Sequence, residues 1–134
     1  MKKGFTLMEL IIVVVIVGIL AMIGLPQFFT VAERGRAAEA FSALGALRSA
    51  QLRYAAESPS NTTTGVITQL DVEIPALRYF NNPTVAAVTD PSDAGSAGVI
   101  ATIVRNDATN NYTCTITGGG AISCTGTGAP KNPQ

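Results

Sequence analysis

The chain has 134 residues, room for one domain, and only 13% of them are charged, against about a quarter in an ordinary soluble protein. Nine Lys and Arg balance nine Asp and Glu, so no global basic field points to nucleic acid or anionic lipid. Histidine is absent and there are two cysteines, which excludes Ser-His-Asp and Cys-His nucleophiles and a zinc cage, and argues against an enzyme or a metal or cofactor carrier.

The apolar content is concentrated near the N-terminus. Leu10 to Val31 is a run of 22 residues without a charge, in which only Gln27 and Thr30 carry polar side chains. As a helix it spans roughly 33 Å, the hydrocarbon thickness of a bilayer. A buried core helix of that length would need a larger protein around it. Lys2 and Lys3 precede the run, and the positive-inside rule places that end in the cytoplasm and the rest of the chain outside. A cleaved secretory signal would have a shorter apolar region and a small-x-small exit. Here Gly24-Leu25-Pro26 leads instead into Phe28-Phe29, so the segment is expected to be retained.

Glu9 does not fit a plain anchor. It lies at the inner edge of the apolar block, between Met8 and Leu10, and an acid within a membrane helix costs a few kcal/mol even on the forgiving insertion scale. Either it lies at headgroup depth, or it awaits a positive partner from another chain.

The residues Lys2-Lys3-Gly4-Phe5-Thr6-Leu7-Met8-Glu9-Leu10 resemble the leader and mature start of a type IV prepilin. The resemblance to type IV pilins and their pseudopilin relatives is close over residues 1 to about 57 and architectural beyond. It implies cleavage by a membrane prepilin peptidase between Gly4 and Phe5, and methylation of the new Phe5 amine. It also implies pairing of Glu9 with the Phe5 amine of a neighbouring subunit, which would fix the axial register between copies. Gly18, Gly24 and Pro26 resemble positions near which the helix loosens in assembled filaments. Proline removes a backbone hydrogen bond and glycine weakens helix propensity there, although an ordinary kinked transmembrane helix reads the same way.

From Ala32 to Glu57 alanine dominates and no stop signal intervenes. Phe41, Leu44, Leu47, Gln51 and Tyr54 recur every three or four residues as one stripe, expected to pack on the molecule's own sheet. The opposite face, with small alanines, is expected to be open to helices of other copies. Glu33/Arg36, Arg36/Glu39 and Arg53/Glu57 have helical pair spacing. Ser58-Pro59 ends the pattern. A helix from Phe5 to Glu57 would run roughly 80 Å, so about half of it should protrude from so small a protein and be sheltered by lipid or by identical chains.

Residues 58–97 read mostly as loop, with apolar pieces at Ile67–Leu70, Leu77–Phe80 and Val85–Val88 whose structure stays open. Gly98–Arg105, Asn111–Thr117 and Ala121–Thr125 read as strands, and a fourth is left open. Folding the chain about Gly119 sets Cys114 opposite Cys124 and Ile116 opposite Ile122, close enough for a disulfide. An oxidising compartment outside the membrane agrees with that bridge.

Weaker signals remain. Asn61-Thr62-Thr63 and Asn111-Tyr112-Thr113 match the glycosylation acceptor pattern. Asp90-Pro91-Ser92-Asp93 has too few oxygens for calcium and reads as a turn. Arg78, Arg105 and Lys131 form no run.

The expected fold is α+β: a long N-terminal helix, transmembrane and then amphipathic, packed on a small antiparallel sheet. The expected organisation is leader 1–4, membrane or filament-core helix 5–31, amphipathic helix 32–57, loop region 58–97 and sheet with disulfide loop 98–134. Three functions compete. The first is a major pilin that polymerises with identical subunits, after membrane insertion and with an assembly machine, into a surface filament for adhesion, twitching motility or DNA uptake. The second is the major pseudopilin of a type II secretion system. The third is a membrane-tethered monomeric binding module.

Overall fold

The computed structural model describes residues 4–91 and 98–130. Its elements in order are a helix α1 (Leu7–Glu57), a short 3-10 turn (Ile67–Gln69), and strands β1 (Thr84–Val85), β2 (Val99–Asn106), β3 (Asn111–Thr117) and β4 (Ile122–Thr127). The four strands form one antiparallel sheet in the order β1-β2-β3-β4, so the expected α+β class is what the chain adopts. The structure divides into two units, one up to Arg34 and one from Gly35 onward.

In the first unit every large apolar side chain from Leu7 to Val31 is exposed, from 48% at Ile12 to 80% at Met22. It holds a helical stretch long and apolar enough to cross a membrane. The helix runs unbroken through Gly18, Gly24 and Pro26.

The second unit carries the core. Leu44, Leu47, Ala40, Ala43 and Ala50 of α1 are buried against Ile100, Ile103, Tyr112, Cys114 and Ile116 of the sheet. Strand β3 shows why its sequence folds this way: inward Tyr112, Cys114 and Ile116 alternate with outward Thr113, Thr115 and Thr117, the period of a half-buried strand. Phe80 from the connection closes one end, its ring packed edge-on to Tyr112 with centroids 6.0 Å apart.

Gln51 is the one amide in the expected stripe and is fully buried. Its Oε1 accepts from the Thr64 amide at 2.9 Å and its Nε2 donates to the Thr64 carbonyl at 2.7 Å. Both ends of the side chain therefore pair with backbone, and the amide fastens the connection to the helix without leaving a buried polar group unpaired.

The β3–β4 turn forms as expected, with Cys114 opposite Cys124 and Ile116 opposite Ile122. The two cysteines are bonded, their Cα atoms 4.1 Å apart. Gly120 has φ +94°, a left-handed conformation that other residues adopt only at a cost.

The structure corrects several boundaries and pairings. The helix starts at Leu7 rather than Phe5, because Thr6 caps it. Ala37, Ala40, Ala43, Ala50 and Ala55 are buried in the chain's own core, since the sheet covers more of the helix than the stripe alone. The outward small residues are Gly35, Ala38, Ser42, Ala46, Ser49 and Ala56. Arg53 reaches across to Asp71 at 2.6 Å, and Glu57 on its own helix adds a weaker attraction. The fourth strand is β1, only two residues long, and β4 runs on to Thr127. Thr62 makes an isolated bridge to Thr89. Within the turn at Asp90, its amide donates to the Asn61 carbonyl at 2.8 Å and Asn61 Nδ2 donates to Asp90 Oδ1 at 2.9 Å. Ser92 and Asp93 lie outside the described residues, among which no acidic or sulfur cluster could hold a metal.

Candidate functional site

Gly4, Phe5 and Thr6 precede α1 outside any regular secondary structure. Phe5 is 76% exposed, and nothing lies near enough to Gly4 to obstruct an added side chain. This stretch is open to another macromolecule on its backbone as well as its side chains.

One turn further on, Thr6 and Glu9 satisfy each other. The Glu9 amide donates to Thr6 Oγ1 at 3.2 Å, and the Thr6 amide and hydroxyl donate to Glu9 Oε2, each at 3.1 Å. This is a capping box, in which Ser or Thr before a helix and Glu three residues on exchange bonds with the orphan amides of the first turn. A Glu there also sits favourably at the positive end of the helix dipole. The pattern Thr-x-x-Glu was readable in the sequence, yet the expectation weighed only a membrane cost and an intermolecular partner for Glu9. Both bonds end on Oε2, and Oε1 takes none among the described residues.

Downstream, Pro26 lacks an amide, so the carbonyl of Met22 has no helical donor. The chain compensates only locally: Thr30 Oγ1 donates to the Pro26 carbonyl at 3.2 Å. Phe28 and Phe29 follow, both exposed, with ring centroids 6.1 Å apart. From Leu7 to Val31 the large apolar side chains all point outward, with one acid at the start, a surface suited to lipid or to like helices.

The second unit holds a feature invisible in the linear sequence. Arg36, Arg78 and Arg105 converge on the ring of Tyr79 from α1, the connection and β2, with guanidinium carbons 5.2, 5.5 and 5.5 Å from its centroid. Arg105 is buried, donating to the Tyr79 carbonyl at 2.7 Å and pairing with Asp107 at 2.6 Å. The amides of Asn110 and Thr109, then the Arg105 charge, hold the Asp107 carboxyl below the usual aspartate range.

Comparison with known proteins bears on the N-terminal unit first. Residues 1–25 match the family described as the prokaryotic N-terminal methylation motif. A fimbrial protein of Pseudomonas aeruginosa is 34% identical over 109 residues, covering 78% of this chain and 70% of that protein. The fimbrial protein EcpC of Eikenella corrodens is 32% identical over 78% of this chain and 64% of its own length. The type IV major pilin protein PilA of Myxococcus xanthus is 47% identical over 42% of this chain and 26% of its own. The chain thus spans less than two thirds of the length of the last two. No solved structure matches it. Since it matches the Pseudomonas protein along most of both chains and opens on the methylation motif, the chain belongs to the type IV pilins, a family of structural subunits rather than enzymes.

Proposed function

We propose that the chain is a pilin precursor, cut between Gly4 and Phe5 by a prepilin peptidase, methylated at Phe5, and polymerised from the inner membrane into a surface filament of identical subunits. The observation that carries this reading is the exposed apolar helix from Leu7 to Val31, with its one acid, Glu9, at the start.

Magnitudes separate the roles of the two features. Eighteen large apolar side chains lie exposed from Leu7 to Val31, and burying each is worth about 1.5–3 kcal/mol relative to water. That total of tens of kcal/mol keeps the helix out of water, but it does not favour neighbours over lipid, because lipid tails are as apolar as leucine. Within the membrane, selection among arrangements falls to packing and to polar groups. Glu9 is the polar group with most to gain. Its Oε1 accepts the Phe5 amine of an adjacent copy while Oε2 keeps the cap, which sets one axial register. Subunits then add head to tail, a heterologous contact that does not close on itself.

In this reading residues 1–4 are the leader, 5–31 the filament core, 32–57 the part of the helix under the sheet, 58–97 the connecting loops and 98–134 the sheet and disulfide loop. Gly18, Gly24 and Pro26 mark where the helix, continuous here, loosens under the constraint of the filament. Energy for extension comes from the inner-membrane assembly machinery. Adhesion, twitching motility and DNA uptake are roles of the fibre. The names of the relatives, fimbrial and pilin, favour a pilus over a secretion pseudopilus.

The test is to shear cells, image the released material by negative stain and measure the N-terminal mass of its subunit. Filaments whose subunit begins at methylated Phe5 are expected, and Gly4→Val should leave uncut precursor in the membrane. An uncleaved chain confined to the membrane fraction, with no filaments, would contradict the reading.

A further inference from the structure

Glu73, in the connection between α1 and β1, lines two clefts at once together with Ile74 and Pro75. One, of about 510 Å³, is walled by Ile67, Leu70 and Val72; the other, of about 240 Å³, by Ala43, Ala46 and Leu77. Glu73 is exposed and has no hydrogen bond or ion pair among the described residues. Glu39 of α1 lines the smaller cleft as well. Its Oε1 accepts the Arg78 amide at 2.7 Å, whereas its Oε2 is buried and takes no hydrogen bond among the described residues. The guanidinium groups of Arg36 and Arg78 stand over the Tyr79 ring and donate nothing to that oxygen. A carboxylate oxygen left unbonded beside apolar walls is costly, and a cation brought into the cleft lowers that cost.

We propose that these clefts receive Arg34 of a second copy of the chain, its guanidinium held by Glu73 and attracted by Glu39 beneath. The proposal rests on the filament reading and names one of the contacts between its subunits. Arg34 is exposed, and the residues three and four away from it on α1 are Thr30, Val31, Ala37 and Ala38, so its own helix offers no acid at pair spacing. It too has no hydrogen bond or ion pair among the described residues. Arg48 and Arg53, by contrast, are engaged by the Gly118 carbonyl and by Asp71. A guanidinium meets a carboxylate through two parallel hydrogen bonds. Val31, one turn before Arg34 and 64% exposed, supplies the apolar side chain that the walls at Ile74 and Leu77 suit. Donor and acceptor lie on different segments of the chain, so each copy gives one such contact and receives another, as a heterologous assembly requires.

The test is charge exchange in cells that make the full chain, read as the yield of sheared filaments by immunoblot. Arg34→Glu and Glu73→Arg should each lower the yield about tenfold or more, as when one member of a desolvated charge pair is lost. The double exchange Arg34→Glu/Glu73→Arg should recover a large part of it. Arg34→Glu/Glu57→Arg has the same net charge without the contact and should recover none. Arg34 and Glu73 are exposed, so the variants purified in detergent should unfold at the denaturant midpoint of the unaltered chain. Near-normal yield from either single variant, no recovery by the Glu73 double, or equal recovery by both doubles would each overturn the contact and leave the filament reading standing. Absence of filaments from the unaltered chain would contradict both.

Discussion

Thr6 and Glu9 cap each other at the start of α1, amide to side chain in both directions. The acid is therefore held by its own chain through one oxygen, with the other oxygen oriented by that hold. The capping role and the proposed charge pairing with Phe5 call for different properties of residue 9. A neutral amide can cap, but it carries no charge to neutralise an ammonium group.

Replacing Glu9 separates the two roles. Glu9→Gln keeps a capping acceptor and Glu9→Ala does not, yet both lose the charge. Filament yield, measured by shearing and quantified by immunoblot, should fall in both variants to a similar extent. Thr6→Ala, which weakens the cap by about 1 kcal/mol, should reduce it less. Near-normal yield from Glu9→Gln would show that capping alone suffices.

Gln51 offers a prediction about the second unit. Gln51→Leu keeps the volume but leaves the Thr64 amide and carbonyl buried without their partners. Each unsatisfied group costs about 1–3 kcal/mol. Chemical denaturation of the full chain in detergent should show a loss of that order, with residues 61–70 the first to lose amide-exchange protection. An unchanged midpoint would mean that water replaces both bonds.

The Cys114–Cys124 bridge closes a short loop between β3 and β4. Its removal by Cys114→Ser/Cys124→Ser should cost about 3 kcal/mol on the chain-entropy estimate. The far-ultraviolet helical signal should persist, because α1 is a separate element with local hydrogen bonds. Loss of most of that signal at ordinary temperature would show that the helix depends on the hairpin.

Acid should loosen the β2–β3 turn. Asp107 Oδ1 accepts the Asn110 and Thr109 amides at 2.6 and 2.9 Å, and these bonds, with Arg105, hold its carboxyl below its ordinary value. A carboxyl lowered on folding contributes stability that is fully present above the unfolded value and is lost as pH falls through the folded one. Asp107→Asn should therefore lower the melting temperature at about pH 6 and matter progressively less below about pH 4. A difference that stays constant down to about pH 2 would place the effect in packing instead.

Legibility in the sequence followed the range of the interactions. The apolar run, the stripe from Phe41 to Tyr54 and the alternation of Asn111–Thr117 are periodic signals. Each gave its element, with boundaries within a few residues. The Cys114–Cys124 register was readable because a three-residue turn leaves the flanking strands one symmetric way to pair. Strand β1 escaped because two residues carry no period; they are held by the edge of β2. Arg36, Arg78 and Arg105 showed no cluster because they are brought together only by tertiary packing around Tyr79. The Thr6–Glu9 cap was local and legible as Thr-x-x-Glu, yet it was absent from the expectations for a different reason. The cost of an acid near a membrane drew attention from the ordinary capping motif it completes.

The most direct test of the central claim is sedimentation of the purified full chain after detergent is removed. With eighteen large apolar side chains exposed along the helix, the account predicts that no monomer stays in solution and that the chain sediments entirely as filaments or larger assemblies. A stable, water-soluble monomer under those conditions would contradict it.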